Sequence, residues 1–525
     1  MRLPLLLNGF MATGKSSLGP RLAQRTGRAF LDLDAEIEAQ LGTPLPQFFA
    51  QHGESEFRAL ERRTLLKLLA ERSGEAPVIA LGGGALLARD LRLQVLDTAV
   101  VVTLEASVEE VLRRAEQQPA RPLLQGPEPA QRARELLDLR ASAYAEAHAR
   151  IRTDGRDLDA LTDEILTIWR RGPIAVAAGT ASYVVEIGRD LLQARLADLL
   201  GDAPRSLLVS DTTVLALHGS AALQALSRGA PLVVELSPGE EHKKITSVER
   251  IWEKGLGAGA DRSSCFVALG GGVVSDITGF AAATYMRGVR WVCVPTTLLA
   301  MVDASVGGKT GVDLLAAKNA VGAFHHPSAV LCDVDLLRTE SDRGFRGALA
   351  EVIKTAIIGD AALLELLERD SARVLTRDPE LVAEIVRRSI RVKARIVSQD
   401  PKESGVRAVL NLGHTVGHAL EAHAGYARLS HGEAVSLGLV AALRIGMRLG
   451  FTKPELARRI EALLARLGLP VDLKAEPLAE AATLIGHDKK RTGKRLRFVV
   501  ARAVEQVETT ELDLDTLQSS VLTLQ

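Results

Sequence analysis

The chain has 525 residues, enough for three or four domains at roughly 150 residues each. Hydrophobic residues make up 47% and charged residues 25%, which excludes wholesale disorder and leaves material for several cores. Lys plus Arg number 65 and Asp plus Glu number 65, so no net field draws in nucleic acid or an anionic membrane, and an anionic ligand needs a local basic pocket.

In chain order, a strand over 3–7 is followed by a glycine turn and a helix from Lys15 to about Arg25. Strands over 78–81 and 99–104 come next, then a Pro- and Gln-rich loop from Gln117 to Pro129 and a long polar helix from Ala130 to Ala149. This alternation predicts a parallel sheet with helices on both faces. After a short seam, Arg170-Arg171-Gly172-Pro173, strands over 174–177, 183–187, 206–210, 232–236, 265–269 and 291–294 resume the α/β order. Beyond about residue 345 the periodicity is almost entirely helical. The expected organisation is an α/β domain over 1–170, an α/β nucleotide-binding domain over 173–340 and an all-helical domain over 341–525, with a cleft between the last two.

Cys265, Cys293 and Cys332 form no CxxC pair and read as buried free thiols in a reducing compartment. No apolar run approaches the roughly 18 residues of a membrane span. The apolar N-terminus breaks at Asn8-Gly9 with no signal-type cleavage site, so the cytoplasm is the expected location.

Gly9-Phe10-Met11-Ala12-Thr13-Gly14-Lys15-Ser16 fits G-x-x-x-x-G-K-[ST] between a strand and a helix, the context that gives this motif its meaning. Backbone N–H groups from Ala12 through Ser17 would wrap a triphosphate, Lys15 would reach the β/γ-phosphates and Ser16 would ligate Mg2+. Asp32 and Asp34, two apart at a strand end, point the same way; one suits magnesium and the other a hydroxyl proton, unless they are only an acidic helix start. Arg58, Gly82-Gly83-Gly84, Arg121 and Arg140 are each weak signals. In this order they resemble shikimate kinase, a P-loop kinase-type parallel sheet, over residues 1 to about 168. The resemblance implies ATP with Mg2+ as cofactor, Asp34 activating the substrate hydroxyl, Arg58 and Arg140 on its carboxylate and Gly83 at the ring hydroxyls. It also implies Arg121 in a lid over ATP and Asp32 near magnesium. Ala12 stands where the family usually has glycine or proline, which tightens the loop.

In the second half, Gly270-Gly271-Gly272-Val273-Val274-Ser275-Asp276 follows a strand and suits a dinucleotide pyrophosphate, without being G-x-G-x-x-G. Pro238 to Lys243 follows an earlier strand with acidic residues for ribose hydroxyls, and Pro295-Thr296-Thr297 ends another. His414 and His418 share a helical face, His431 follows, and Glu351 with Lys354 lies on an earlier helix. One Glu with two His is a catalytic-zinc donor set that leaves a position open, and the absence of H-E-x-x-H argues against a zinc peptidase. A lone histidine is more often a core or surface residue; three in one helical domain point to a site.

These segments, with Asp303 to Gly311, Lys318-Asn319, Ala350 to Lys354 and His431-Gly432-Glu433, resemble 3-dehydroquinate synthase from about residue 173 to the end. The resemblance implies NAD and Zn2+, or another divalent ion such as Co2+, with metal ligands Glu351, His414 and His431 and His418 handling protons. NAD contacts fall on Asp211, Glu240, Lys243, Gly271, Gly272, Val273, Val274, Asp276, Thr296, Thr297 and Thr339, with Lys309 and Lys318 close by. Substrate contacts fall on Asp303, Lys309, Asn319, Lys354, Lys393, Arg407, Asn411 and Lys489, with Lys309 and Lys354 also catalytic. Arg287 matches an arginine that reaches the substrate phosphate of a neighbouring subunit, which implies a homodimer. Ser275 stands where the family has glycine. The implied reaction oxidises a phosphorylated seven-carbon sugar acid transiently, expels phosphate and closes a carbocycle with no net redox change. Two alternatives remain open: a kinase fused to a zinc, NAD-dependent polyol dehydrogenase, which lacks the Lys/Arg phosphate set and releases NADH, and a half that only binds or scaffolds, although no obligatory group is missing.

Overall fold

Leu5, Leu6 and Leu7 are fully buried because β1 (Leu5–Gly9) runs through the middle of a parallel sheet covered on both faces. Its companions are β2 (Phe30–Asp32), β3 (Val78–Ala80), β4 (Val100–Glu105) and β5 (Ala149–Arg152), in the order β2-β3-β1-β4-β5. Alternate residues divide between two cores: Leu6, Ile79 and Val101 on one face, Leu5, Leu7, Val78, Val100 and Val102 on the other. This sheet belongs to the first of two compact units, Met1–Glu186 and Ile187–Gln525. The computed structural model describes residues 3–72, 74–116, 128–227, 231–314, 317–424, 428–485, 491–492 and 495–524.

One element departs from expectation. The helix expected to reach Ala149 spans Pro129–Ala145, and β5 follows, pairing Val102 with Ala149 through Glu105 with Arg152. The strand Ala-Arg-Ile-Arg buries only Ile151, so no apolar run announced it. Buried Glu146 holds the intervening turn through a 2.6 Å ion pair with Arg92. Most of the loop from Gln117 to Pro129, including Arg121, lies outside the described residues.

After the helix Leu158–Arg171, β6 (Ile174–Val176) pairs antiparallel with β7 (Tyr183–Gly188). Then come β8 (Ser206–Asp211), β9 (Leu232–Leu236), β10 (Cys265–Gly270), β11 (Arg290–Pro295), β12 (Lys309–Leu314), β13 (Ala317–Phe324) and β14 (Ala329–Asp333). Five of these run parallel in the order β14-β11-β10-β8-β9, while β12 and β13 form a separate antiparallel pair. Cys265, Cys293 and Cys332 lie buried and free on β10, β11 and β14, and burial pushes the Cys265 thiol up to about 11, so it is inert at neutral pH.

The remainder is helical, with the helices Asp342–Gly359, Pro379–Gln399, His414–His423 and His431–Arg448 carrying the side chains of interest. An antiparallel ladder, Arg495–Ala503 with Gln506–Asp513, departs from the all-helical expectation. Its first residues alternate exposed Arg495 and Arg497 with buried Leu496 and Phe498, a period-two signal too short to stand out among helices. A Cβ on Gly432 would strike the backbone of Gly347, so glycine there lets the helices Asp342–Gly359 and His431–Arg448 approach closely. Among the described residues no helix is long and apolar enough to cross a membrane.

Candidate active sites

In the first unit, β1 turns into a loop that ends on Gly14, which precedes the helix Lys15–Thr26 at φ 102° without a side-chain cap. The first amides of that helix therefore face the loop, the geometry that binds phosphate. Lys15 Nζ donates to Gly9 O (2.8 Å) and Phe10 O (2.7 Å), and Thr13 Oγ1 donates to Phe10 O (2.8 Å). Arg114 braces the loop from outside, donating to Ala12 O (3.3 Å) and Thr153 O (3.0 Å). Ala12 sits in the left-handed region at φ 59°, so the absence of glycine at this position is felt as backbone strain.

Asp32 and Asp34 are not successive residues of one strand. Asp32 ends β2 and caps the helix Leu33–Leu41, accepting from Asp34 N (3.1 Å) and Ala35 N (3.4 Å). Asp34 occupies the first turn of that helix, where burial, with Asp32 adding to it, raises its carboxyl above the usual range. Arg58 donates to Glu61 Oε2 (2.6 Å) and Glu54 Oε1 (3.2 Å), and a Cβ on Gly84 would fall onto its guanidinium. Tyr144 Oη and Arg140 Nη1 both donate to Gly83 O, at 2.6 and 3.3 Å. Arg140 is buried, and its Nε has no acceptor among the described residues, so a donor awaits a partner there. Asp34, Arg58, Gly83 and Arg140 thus gather beside the phosphate loop, with Lys15 and Arg58 close enough to Asp34 to act on its charge.

The second unit brings Glu351, His414 and His431 together: their ligand atoms lie within 4.8 Å of one another. His414 Nε2 is 3.2 Å and His431 Nε2 is 3.4 Å from the same oxygen, Glu351 Oε1. Each ring is turned by its other nitrogen: His414 Nδ1–H donates to Leu412 O (3.2 Å) and His431 Nδ1 faces Glu421 Oε2 (3.2 Å). Two imidazole lone pairs and a carboxylate with ordered outer partners make a donor set that fits a divalent cation with a position left open. His418 adjoins, its ring centroid 5.0 Å from that of His414.

Around this trio the charges are buried and balanced. Lys354, 2% exposed, lies 2.5 Å from Glu351 Oε2 and 4.0 Å from Asp303 Oδ1, and Lys393 Nζ donates to Asp303 Oδ1 at 2.6 Å. Burial presses both carboxyls upward, yet Lys393 and Lys354 outweigh it at Asp303, and Lys354 and His414 outweigh it at Glu351, so both stay below the usual range. Burial pulls Lys393 down to about 8.

The glycine turn after β10 forms as expected. Gly271 precedes the helix Gly272–Thr284 without a side-chain cap, with Thr297 beside Gly271 and Ala304 beside Gly272. Ser275 keeps the helix regular, its Oγ donating to Gly272 O (2.9 Å) and its N to Gly271 O (3.1 Å). Thr296 lies buried at the end of β11, and Val273, Val274 and Asp276 lie in the first turns of the helix. Lys243 Nζ bridges Asp276 Oδ2 and Asn319 Oδ1, both at 2.6 Å. Lys318 Nζ lies 3.0 Å from Glu421 and 3.5 Å from Glu240. Lys309 pairs with Glu403, whose other oxygen accepts from Asn411 Nδ2 (3.2 Å). Buried Arg407 donates to Gly307 O (3.3 Å) and Pro401 O (2.8 Å).

Other expected residues stand in local contacts. Asp211 caps the turn after β8 by accepting from Val214 N (2.9 Å), and Thr339 Oγ1 meets His218 Nε2 at 2.7 Å. Arg287 is exposed at φ 66°, and Lys489 lies outside the described residues. Sequence reading missed Glu61, Glu403 and Glu421. For Glu421 a signal existed: His414, His418 and Glu421 recur at i, i+4 and i+7 on one helix face.

The phosphate loop defines the first unit as a P-loop phosphotransferase, and the glycine turn with its three-donor cluster defines the second as an α/β-plus-helical enzyme of the dinucleotide and metal type. Residues 11–169 match the family model for shikimate kinase, 233–347 that for 3-dehydroquinate synthase N-terminal and 348–491 that for 3-dehydroquinate synthase C-terminal. The 3-dehydroquinate synthase of Caulobacter vibrioides is 44% identical over 343 residues, covering 63% of this chain and 92% of that protein. The structure of 2-epi-5-epi-valiolone synthase from Streptomyces hygroscopicus, with NAD+ and Zn2+ bound, is 28% identical and covers 66% of this chain and 98% of its own at a TM-score of 0.60. Shikimate kinase from Acinetobacter baumannii, in complex with shikimate, is 37% identical and covers 32% of this chain and 93% of its own, with a TM-score of 0.30. The chain belongs to the 3-dehydroquinate synthase family and carries a shikimate kinase ahead of the synthase, which makes it a bifunctional enzyme of the shikimate pathway.

Proposed function

We propose that residues 1–170 phosphorylate shikimate with ATP and Mg2+, and that residues 173–340 and 341–525 together convert 3-deoxy-D-arabino-heptulosonate 7-phosphate to 3-dehydroquinate with NAD and Zn2+. In the kinase, Arg58 and Arg140 fix the substrate carboxylate, Gly83 meets its ring hydroxyls, and Arg121 closes over the nucleotide. Asp34 takes the proton as the substrate hydroxyl oxygen bonds to the γ-phosphorus and ADP leaves. The loop amides and Lys15 hold the transferring phosphate, and Ser16 and Asp32 hold Mg2+.

In the synthase, the convergence of two imidazole Nε2 atoms on one Glu351 oxygen carries the reading. Zn2+ held there supplies a Lewis acid for a substrate hydroxyl, and NAD+ held at the glycine turn supplies a hydride carrier that is regenerated within the cycle. Lys354, Lys393, Arg407 and Asn411 hold the anionic groups of the substrate, Asp303 keeps two of those lysines in place, and His418 moves a proton at the edge of the site. Exposed Arg287 has no ion pair or hydrogen bond among the described residues, which suits the role of reaching the substrate phosphate of a second copy in a homodimer. The cytoplasm is the compartment that suits its small anionic metabolites and free thiols.

The test is one preparation assayed twice. With the heptulosonate phosphate, NAD+ and Zn2+ it should release inorganic phosphate without lasting NADH absorbance; steady NADH accumulation would transfer the second half to the polyol dehydrogenases. With ATP, Mg2+ and shikimate it should form ADP only when shikimate is present, and ADP formation indifferent to shikimate would remove the acceptor assignment.

A further inference from the structure

Glu421 is buried, has no part in the reaction outlined above, and gives each carboxylate oxygen to a different partner. Oε2 faces His431 Nδ1 at 3.2 Å and Oε1 faces Lys318 Nζ at 3.0 Å. Lys318, on β13, also lies 3.5 Å from Glu240 Oε1, in the turn that follows β9. A line of polar contacts therefore runs from Glu351 through His431, Glu421 and Lys318 to Glu240.

A histidine that ligates through Nε2 is oriented and made more basic when Nδ1–H donates to a carboxylate, more so than to a carbonyl. His431 has that carboxylate, whereas among the described residues His414 Nδ1 meets the carbonyl of Leu412. How strongly Glu421 accepts depends on how much of its charge Lys318 draws off, and Lys318 is shared with Glu240. An anionic dinucleotide at that turn attracts the Lys318 ammonium, leaves Glu421 the stronger acceptor for His431 and so tightens the metal.

We propose that Glu421 is a positioning residue that fixes His431 for the metal and, through Lys318, couples metal affinity to occupancy of the dinucleotide turn. The coupling rests on the reading that NAD+ is held beside Glu240. By linkage the effect is reciprocal: metal raises NAD+ affinity by the same factor that NAD+ raises metal affinity.

Zinc affinity of the full chain, measured by competition with a chromogenic chelator and without turnover, tests this in the presence and absence of NAD+. Wild type should bind Zn2+ more tightly with NAD+. Glu421→Gln should lose about 10–100-fold in Zn2+ affinity, the range typical of lost outer partners, while Glu421→Asp recovers part of it. Lys318→Gln, which no longer draws charge from Glu421, should bind Zn2+ at least as tightly as wild type without NAD+ and gain less from NAD+. Melting with EDTA present, matched to wild type, separates these effects from misfolding. Wild-type Zn2+ affinity in Glu421→Gln would overturn the positioning role, and a full NAD+ response in Lys318→Gln would overturn the coupling. Equilibrium dialysis of NAD+ distinguishes the two layers: no NAD+ binding removes the dinucleotide reading, whereas NAD+ binding that leaves wild-type Zn2+ affinity unchanged removes the coupling alone.

Discussion

In the first unit a phosphate loop offers backbone amides and one lysine, and the carboxyl beside it, Asp34, is pushed up by burial. In the second, Lys393 and Lys354 hold the Asp303 carboxyl down, and Lys354 and His414 hold down that of Glu351. The kinase's phosphate loop is thus made mainly of backbone geometry, while the synthase site is an ion network drawn from five separate segments, those of Asp303, Glu351 with Lys354, Lys393, His414 and His431. Backbone amides are fixed in charge, so the phosphate loop depends on shape. An interior network collapses when one member is removed, because a partner is left charged and unpaired in a low-dielectric setting.

This contrast yields its largest expected effect at His414. His414→Ala removes one of three donors and unbalances Glu351, so metal should be lost and synthase turnover should fall by about a thousand-fold or more, given the several kcal/mol that a Lewis acid supplies at roughly 1.4 kcal/mol per tenfold. Kinase turnover should stand. Metal content by atomic absorption beside both activities is the measurement, and wild-type metal content would sink the ligand assignment. Lys15→Ala comes next. Removing one transition-state contact should reduce kinase kcat by about 10²–10³-fold and leave phosphate release by the synthase unchanged. Loss of both activities would mean that the units do not work separately.

The same contrast explains what was legible in the sequence. The phosphate loop reads directly because strand, glycine turn and helix are contiguous and each glycine answers a local backbone need. The metal trio is spread from Glu351 to His431, and its histidines gain meaning only beside a family pattern or a folded chain. Glu421 gives only a weak signal although it follows His418 on the same helix face, because a glutamate at that spacing is usually solvated. The strand β5 is hidden by its two exposed arginines, and nothing in Leu-Asp-Leu-Asp marks that β2 stops at Asp32, so Asp34 reads as its strand-end partner although it lies in the helix that Asp32 caps.

A pH profile sharpens the comparison with a smaller effect. As the proposed base Asp34 would have to be ionised, and its carboxyl is raised from 3.8, so the acid limb of kinase kcat/KM should lie above the pH of an ordinary aspartate. Lys393 behaves in the opposite sense: held down to about 8, it loses its charge as pH rises through that value, and the synthase should decline on its alkaline side. Lys393→Arg keeps the charge and should move or abolish that decline. An alkaline limb identical to wild type in the arginine variant would assign it to another group.

The smallest expected effect concerns Ala12, where backbone geometry and residue type disagree. Alanine at φ 59° costs about 1–2 kcal/mol relative to a right-handed conformation. Glycine removes that strain but loses more conformational freedom on folding, by roughly 0.5–1 kcal/mol. The two partly cancel, and Ala12→Gly should leave the first unit equally stable or more stable by up to about 1.5 kcal/mol. The urea concentration that halves kinase activity reads this out, and it should rise or hold. A clear fall would mean that Arg114, which donates to Ala12 O, needs the stiffer residue to keep the loop in register; the loop would then owe its shape to that side-chain brace as well as to its glycines.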